Sequence, residues 1–231
     1  MSRKLFWEDA YLKEFDATVV SASGNNVVLD QTAFNPRGGG LVSDLGKING
    51  VALSEVVKDG DEVVHVLQGP PPFAAGARVH GELDWERRYR IMRMHTAAHI
   101  LSAVVHGETG ALITGNQISP DGSRVDFDLE GFDKSMASRY FEKVNKAVAR
   151  ELEVTSYFMK RTEAEGIPGL VKLAKAAPPS VDVLRIVQIG DVDTQADGGV
   201  HVRNTREIGT VSCERTENKG KSNRRLYFTV R

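Results

Sequence analysis

The sequence predicts two domains: a small N-terminal β-barrel over residues 1–86, and an α+β domain with an antiparallel sheet over residues 87–231. Three observations carry this. The first eighty-odd residues hold short strand-like runs separated by Gly, Asn and Pro turns, the spacing of a small barrel. From Trp85 the apolar pattern changes to that of one long helix. Beyond that helix, strand-like and helix-like runs are mixed, as in an α+β domain.

Residues 17–20 and 26–30 flank the turn Ser23-Gly24-Asn25 and predict a hairpin; residues 47–53 predict a second, folding back at Asn49-Gly50. Residues 62–67 form a clear strand, closed by the breaker run Gly69-Pro70-Pro71-Pro72, and 78–83 form another. The long helix runs from about 87 to 106. Residues 123–129 alternate like a strand with one buried face. Asp133 and Ser135 can cap a helix over 134–152, with apolar positions at Met136, Tyr140, Val144 and Val148. Residues 154–159 predict a strand, and Thr162 can open a short helix at 163–165. Residues 170–176 predict another helix, stopped by Pro178-Pro179. Residues 183–189, 208–215 and 224–230 complete the strands.

Composition narrows the function classes. Apolar content of 41% and charged content of 26% are those of a soluble globular chain. The lack of a long apolar run or a signal-peptide core predicts a cytoplasmic protein without a membrane partner. One cysteine, Cys213, leaves no internal disulfide framework. Thirty basic against 31 acidic residues give a net charge of −1, so a nucleic-acid partner needs a local basic patch.

The strongest chemical signal is His95 and His99, one helical turn apart, with His201 far along the chain. An i, i+4 pair puts both imidazoles on one helix face, within reach of one ion. Such pairs also arise by chance. Here Ala97, Ala98, Ile100, Leu101, Ala103 and Val104 make the helix apolar on most of its surface, and buried histidines need polar partners. A third ligand from elsewhere would close a zinc-type site, and a position left to water would make it catalytic. No Glu follows His95, so this is not the metalloprotease pattern.

Three motifs carry a family resemblance over nearly the whole chain. Arg93-Met94-His95-Thr96-Ala97-Ala98-His99-Ile100-Leu101 resembles the first zinc motif of the alanyl-tRNA synthetase editing domain. Residues 198–209, beginning Gly198-Gly199-Val200-His201, resemble its second. Residues 34–46, with Gly38-Gly39-Gly40 and Asp44, resemble the glycine-rich motif of the preceding domain. Their order and the length resemble the medium form of the free-standing AlaX-type editing proteins. That implies the second additional domain fold of threonyl- and alanyl-tRNA synthetases. The stretch before Phe34 is too short for an aminoacylation core.

The resemblance implies a Zn2+-dependent hydrolase that deacylates tRNA(Ala) mischarged with serine, and with glycine as a second substrate. His95, His99 and His201 become metal ligands. The family's fourth ligand, a cysteine four residues before the last histidine, is Asp197 here, so an aspartate or a water completes the site. Val200 and Leu41 stand where the family has threonine and glutamine. Zinc can activate water or hold the substrate's amino group, and the sequence does not separate these roles. Thr114 and Asn116 fall where the family contacts the aminoacyl side chain; they can bond a serine hydroxyl or simply form a polar turn.

The glycine run lacks the Gly-Lys-Ser/Thr ending of a phosphate loop, which excludes a nucleotide cofactor. It is a structural turn or a place of close backbone approach, and Asp44 suits a turn cap. Lys219, Lys221, Arg224 and Arg225 form the basic cluster best suited to the phosphates of an acceptor stem. Arg87, Arg88, Arg90 and Arg93 form a second, read as lying partly along the helix surface away from the core. Two other readings fit: a deacylase for another mischarged tRNA, of the threonyl type, and a non-catalytic tRNA-binding module.

Overall fold

The computed structural model describes residues 2–164, 166, 167, 170 and 182–231. Contacts divide the chain into two compact units, with the boundary between Ile91 and Met92.

The first unit contains β1 (Arg3–Lys4), α1 (Leu5–Glu8), β2 (Glu14–Ser23), β3 (Asn26–Leu29), β4 (Gln31–Thr32), β5 (Gly46–Ile48), β6 (Val51–Asp59), β7 (Glu62–Leu67) and β8 (Arg78–Leu83). Six strands pair in the order β2-β3-β7-β6-β5-β8, and β8 returns to β2, so the ring has no free edge. Alternate residues of each strand point inward. In β7 these are Val63, His65 and Leu67, all buried. The β5–β6 hairpin turns on Asn49 and Gly50 with φ of 46° and 79°, the two positive values of a type I′ turn. A Cβ on Gly46, φ 155°, would meet the backbone oxygen of Glu82 and the ring of Phe34. The short helix α1 and the strands β1 and β4 carry no periodic signal, and sequence reading leaves them out.

The helix α2 (Trp85–Thr109) begins in this unit and continues into the second. The second unit adds β9 (Ile113–Gln117), β10 (Ser123–Phe127), α3 (Lys134–Val148), β11 (Val154–Lys160), α4 (Arg161–Ala164), β12 (Val183–Ile189), β13 (Asp193–Ala196), β14 (Val211–Asn218) and β15 (Arg224–Val230). Its strands form two antiparallel sheets, ordered β14-β15-β10-β9 and β11-β12-β13. The Asp133 carboxylate accepts the N–H groups of Ser135 and Met136, which caps α3. Among the described residues, no helix is long and apolar enough to cross a membrane.

Several elements depart from their sequence reading. The strand expected from Ile208 starts at Val211, because Thr205–Ile208 form a 3-10 turn. A capping box between Asn204 and Glu207 closes that turn, and two reciprocal side-chain bonds there outweigh strand propensity. Asp193–Ala196 become a strand through pairing with β12, although Asp-Thr-Gln-Ala has no strand pattern. Residues 114–117, legible as a polar turn, are most of β9. The expected helix over 170–176 lies outside the described residues, apart from Leu170.

Candidate metal centre

Helix α2 presents His95 and His99 on its buried side, and the turn after β13 presents Asp197 and His201. One ligand atom from each of the four lies within 4.8 Å of every other. The rings of His95, His99 and His201 are packed together, with centroids 4.2–4.9 Å apart. All three histidines are buried, and Asp197 is nearly so.

The hydrogen bonds fix which ring nitrogen of each histidine carries its proton. His95 Nδ1 faces the carbonyl oxygen of Val200 at 3.2 Å, and a carbonyl can only accept, so Nδ1 donates. His99 Nδ1 donates to the buried carboxylate of Asp193 at 2.8 Å. His201 Nδ1 lies 3.1 Å from the Thr96 hydroxyl, which already donates its proton to Met92 O at 2.9 Å. The Thr96 oxygen therefore accepts from His201. With every Nδ1 protonated, each neutral ring is left with a bare lone pair at Nε2. His201 Nε2 lies 3.1 Å from Asp197 Oδ1, and His95 Nε2 lies 3.7 Å from Asp197 Oδ2.

Lone pairs and a carboxylate facing one another need a cation between them. Protons supply it poorly: burial drives the His95 imidazole well below its ordinary pKa and His201 down to about 4, despite the attraction of Asp197. For Asp197, burial alone raises the carboxyl, and it is positive charge beside it, at His95 and His201, that draws it well below the usual range. Three imidazoles and a carboxylate are donors of the kind zinc takes, in a tetrahedral set with bonds of about 2.0–2.2 Å. That implies donor separations of roughly 3.4 Å. The separations from His201 and His95 to the two Asp197 oxygens lie on either side of this value, and one donor from each of the four residues lies within 4.8 Å of the others, so the donor set suits a zinc ion.

A second layer holds these ligands. Asp193 accepts from His99 and from Gln195 Nε2, 2.9 Å away. Thr96 also accepts the N–H of Val202, tying α2 to the strand-end turn. Arg185 of β12 donates to the carbonyls of Asp197 and Gly199, and Asp197 Oδ1 accepts the N–H of Gly199. Sequence reading misses Asp193, Arg185 and the role of Thr96. Only Thr96 leaves a signal, as a polar residue between the two histidines of an apolar helix.

The other sequence-derived candidates are not part of this cluster. Thr114 is exposed and donates to Asn223 at 3.3 Å. Asn116 is half-buried opposite Val125. The register shift in β9 makes Thr114 the extra residue of a bulge, so the two do not share the face that their i, i+2 spacing suggests. In the other unit, Gly38 and Leu41 exchange backbone hydrogen bonds around Gly39 and Gly40, with φ of 59° and 90°. Space beyond Gly38 and Gly39 is open, so no close backbone approach requires glycine there.

Asp44 accepts the backbone N–H of Asn35 and makes a buried ion pair with Arg88, whose guanidinium also bonds the carbonyls of Ala10 and Ala33. The reading of the Arg87–Arg93 cluster as lying partly along the helix surface away from the core holds for Arg90, which is exposed, and is corrected for Arg88. Arg88 is fully buried, Arg87 is bonded to Ser43 O, and Arg93 is bonded to Ile208 O. A guanidinium with its donors committed to protein oxygens has few left for phosphate.

The C-terminal basic cluster is also partly engaged. Arg224 is buried and ties its own loop by bonds to the carbonyls of Gly220, Lys221 and Asn223. Arg225 makes a two-pronged pair with Asp126, and Lys219 pairs with Glu217. Cys213 is a half-buried residue of β14 opposite Phe228, and burial pushes its thiol pKa up.

Comparison with known proteins adds a family context. Residues 184–227 match the threonyl and alanyl tRNA synthetase second additional domain. Alanyl-tRNA editing protein AlaX-M of Saccharolobus solfataricus is 42% identical over 237 residues, covering 100% of each chain. That of Methanosarcina barkeri is 43% identical over 241 residues, covering 100% of this chain and 99% of the relative. An alanine–tRNA ligase of Pyrobaculum neutrophilum is 39% identical over 241 residues, 99% of this chain but 27% of the ligase.

Proposed function

The chain belongs to the AlaX-M family of alanyl-tRNA editing proteins, and from that premise we propose that it is a zinc-dependent deacylase of mischarged tRNA(Ala). Ser-tRNA(Ala) is its first substrate and Gly-tRNA(Ala) its second. The observation that carries this reading is the convergence of imidazole lone pairs on Asp197, with every Nδ1 proton committed elsewhere. Zinc held by His95, His99, His201 and Asp197 supplies Lewis acidity, the property that polarises an ester carbonyl and acidifies water.

The chain's own residues do the rest. Asp193, Val200 and Thr96 orient the three rings, so little reorganisation accompanies binding. Arg185 holds the 197–199 turn and with it the carboxylate corner of the site. Of the two sequence candidates, Asn116, half-buried on the face of Val125, is the proposed contact for the serine hydroxyl, and Thr114 stands outside it. A site built to bond a hydroxyl rejects alanine because its own polar groups would be left unpaired. Residues 1–86 serve recognition rather than chemistry, with the Gly38–Gly40 turn offered to solvent. Lys219 and Lys221 are the proposed phosphate contacts, on a loop that Arg224 braces.

Deacylation of Ser-, Gly- and Ala-tRNA(Ala), measured side by side with and without a chelator, tests this reading. Hydrolysis of the seryl and glycyl esters, sparing alanyl ester and lost on chelation, is expected. Tight tRNA binding without hydrolysis of any ester would instead mark a non-catalytic module.

A further inference from the structure

The outward face of the four-stranded sheet carries an array of side chains that the metal centre does not use. Residues opposite one another on neighbouring strands share a face. Register therefore places Gln117, Arg124, Tyr227 and Arg215 in one row, and Gly115, Asp126, Arg225 and Glu217 in the next. The alternate positions Val125, Leu226 and Phe228 are buried on the opposite side. The Arg215 guanidinium stacks on Tyr227, 3.8 Å from the ring centroid. Arg225 approaches the same ring at 5.8 Å and donates to the Tyr227 hydroxyl at 3.3 Å.

The charges on this face do not cancel. Asp126 accepts from both Arg124 and Arg225, so one carboxylate answers two guanidinium groups. Glu217 accepts from the Tyr227 hydroxyl and pairs with Lys219. Arg124, Arg215, Arg225 and Lys219 thus stand against Asp126, Glu217 and the bulge residue Glu214, with Lys221 on the adjoining loop, on a chain whose net charge is −1. The positive excess is local, the condition a near-neutral protein must meet to hold a polyanion.

We infer that this face is an RNA-binding surface for the acceptor arm of tRNA. Arg124 and Lys221 meet its phosphates, Arg225 braces Asp126 and Tyr227 beneath them, and the Arg215–Tyr227 stack takes an unpaired base. Guanidinium and aromatic planes are the groups on which splayed RNA bases stack, and a tRNA acceptor arm offers such bases at its single-stranded end. The inference rests on the tRNA-editing reading for its partner. It adds Arg124, Arg215 and Tyr227 to the basic loop.

The test uses the zinc-loaded full chain and an unacylated tRNA(Ala) acceptor-stem minihelix, followed by fluorescence anisotropy. Arg215→Ala and Tyr227→Leu should each weaken binding roughly tenfold, the loss expected from one base stack. Removing the single-stranded end of the minihelix should abolish the difference between wild type and variant. Tyr227→Phe, which keeps the ring, should bind like wild type. Lys221→Gln should lower the salt slope by about one. If Tyr227→Leu fails to fold, Arg215→Ala decides, because Arg215 is an exposed residue. Wild-type affinity and unchanged dependence on the single-stranded end in Arg215→Ala would overturn the surface. A wild type that hydrolyses no mischarged tRNA, yet shows the stack-dependent loss, would sink the deacylase reading and leave this one standing.

Discussion

His65 in the first unit and His201 in the second are both buried, and burial drives both imidazoles down to about 4. Each directs Nδ1 at an oxygen, Val27 O for His65 and Thr96 Oγ1 for His201. They differ at the other nitrogen. His65 Nε2 accepts the Thr32 hydroxyl at 2.8 Å, so the neutral ring is fully satisfied by protein. His201 Nε2 meets a carboxylate, with the lone pair of His95 alongside. Burial and a depressed pKa therefore do not separate a core histidine from a functional one. An unmatched set of acceptors does. The buried Asp44–Arg88 pair belongs with His65, because its charges and hydrogen bonds are matched within the first unit.

This contrast is broken most severely at the metal ligands. His201→Ala should reduce zinc from stoichiometric to near background by elemental analysis, whereas His65→Gln should keep it stoichiometric. Equal zinc in both variants would erase the distinction. Next in size is Arg88→Met, which strands Asp44 as a buried charge. It should cost about 3–5 kcal/mol, as for other broken buried pairs. Trp7 and Trp85 are the only tryptophans and both lie in the first unit, so their fluorescence during urea unfolding reports that loss directly. Zinc content of the folded variant should stay at the wild-type level.

A smaller effect is expected one layer out from the metal. Asp193→Asn keeps the shape but weakens the hold on the His99 Nδ1 proton. Zinc affinity, measured by competition with a chromophoric chelator, should fall by about 10–100-fold. Unchanged affinity would mean that packing alone sets the His99 ring.

The smallest effect is a pH dependence. His65 titrates near 6.5 when unfolded and at about 4 when folded, so the unfolded chain binds the extra proton between those values. The contribution of His65 is fully present above about 6.5 and is lost as pH falls toward 4. It should amount to about 2 kcal/mol between pH 7 and pH 5. His65→Gln should flatten the tryptophan-detected profile by that amount. An unaltered profile would show that the His65 environment does not depend on its neutral form.

Much of the molecule is legible in local pattern. Strands 62–67, 78–83 and 183–189 follow from apolar periodicity, the Asn49-Gly50 turn from its tolerance of positive φ, and the start of α3 from Asp133. His95 and His99 lie on one side of a helix because 3.6 residues make a turn. Each of these signals reports the free energy of a residue in its own backbone setting. The tertiary structure alone decided the rest. It joined Asp193 to His99, 94 residues away, and Asp44 to Arg88, 44 residues away. It turned Asp193–Ala196 into a strand and drew Arg88 and Arg224 out of solvent. Those outcomes depend on which distant donors and acceptors chain closure brings within about 3 Å. No local period encodes that, and it is also what separates His201 from His65.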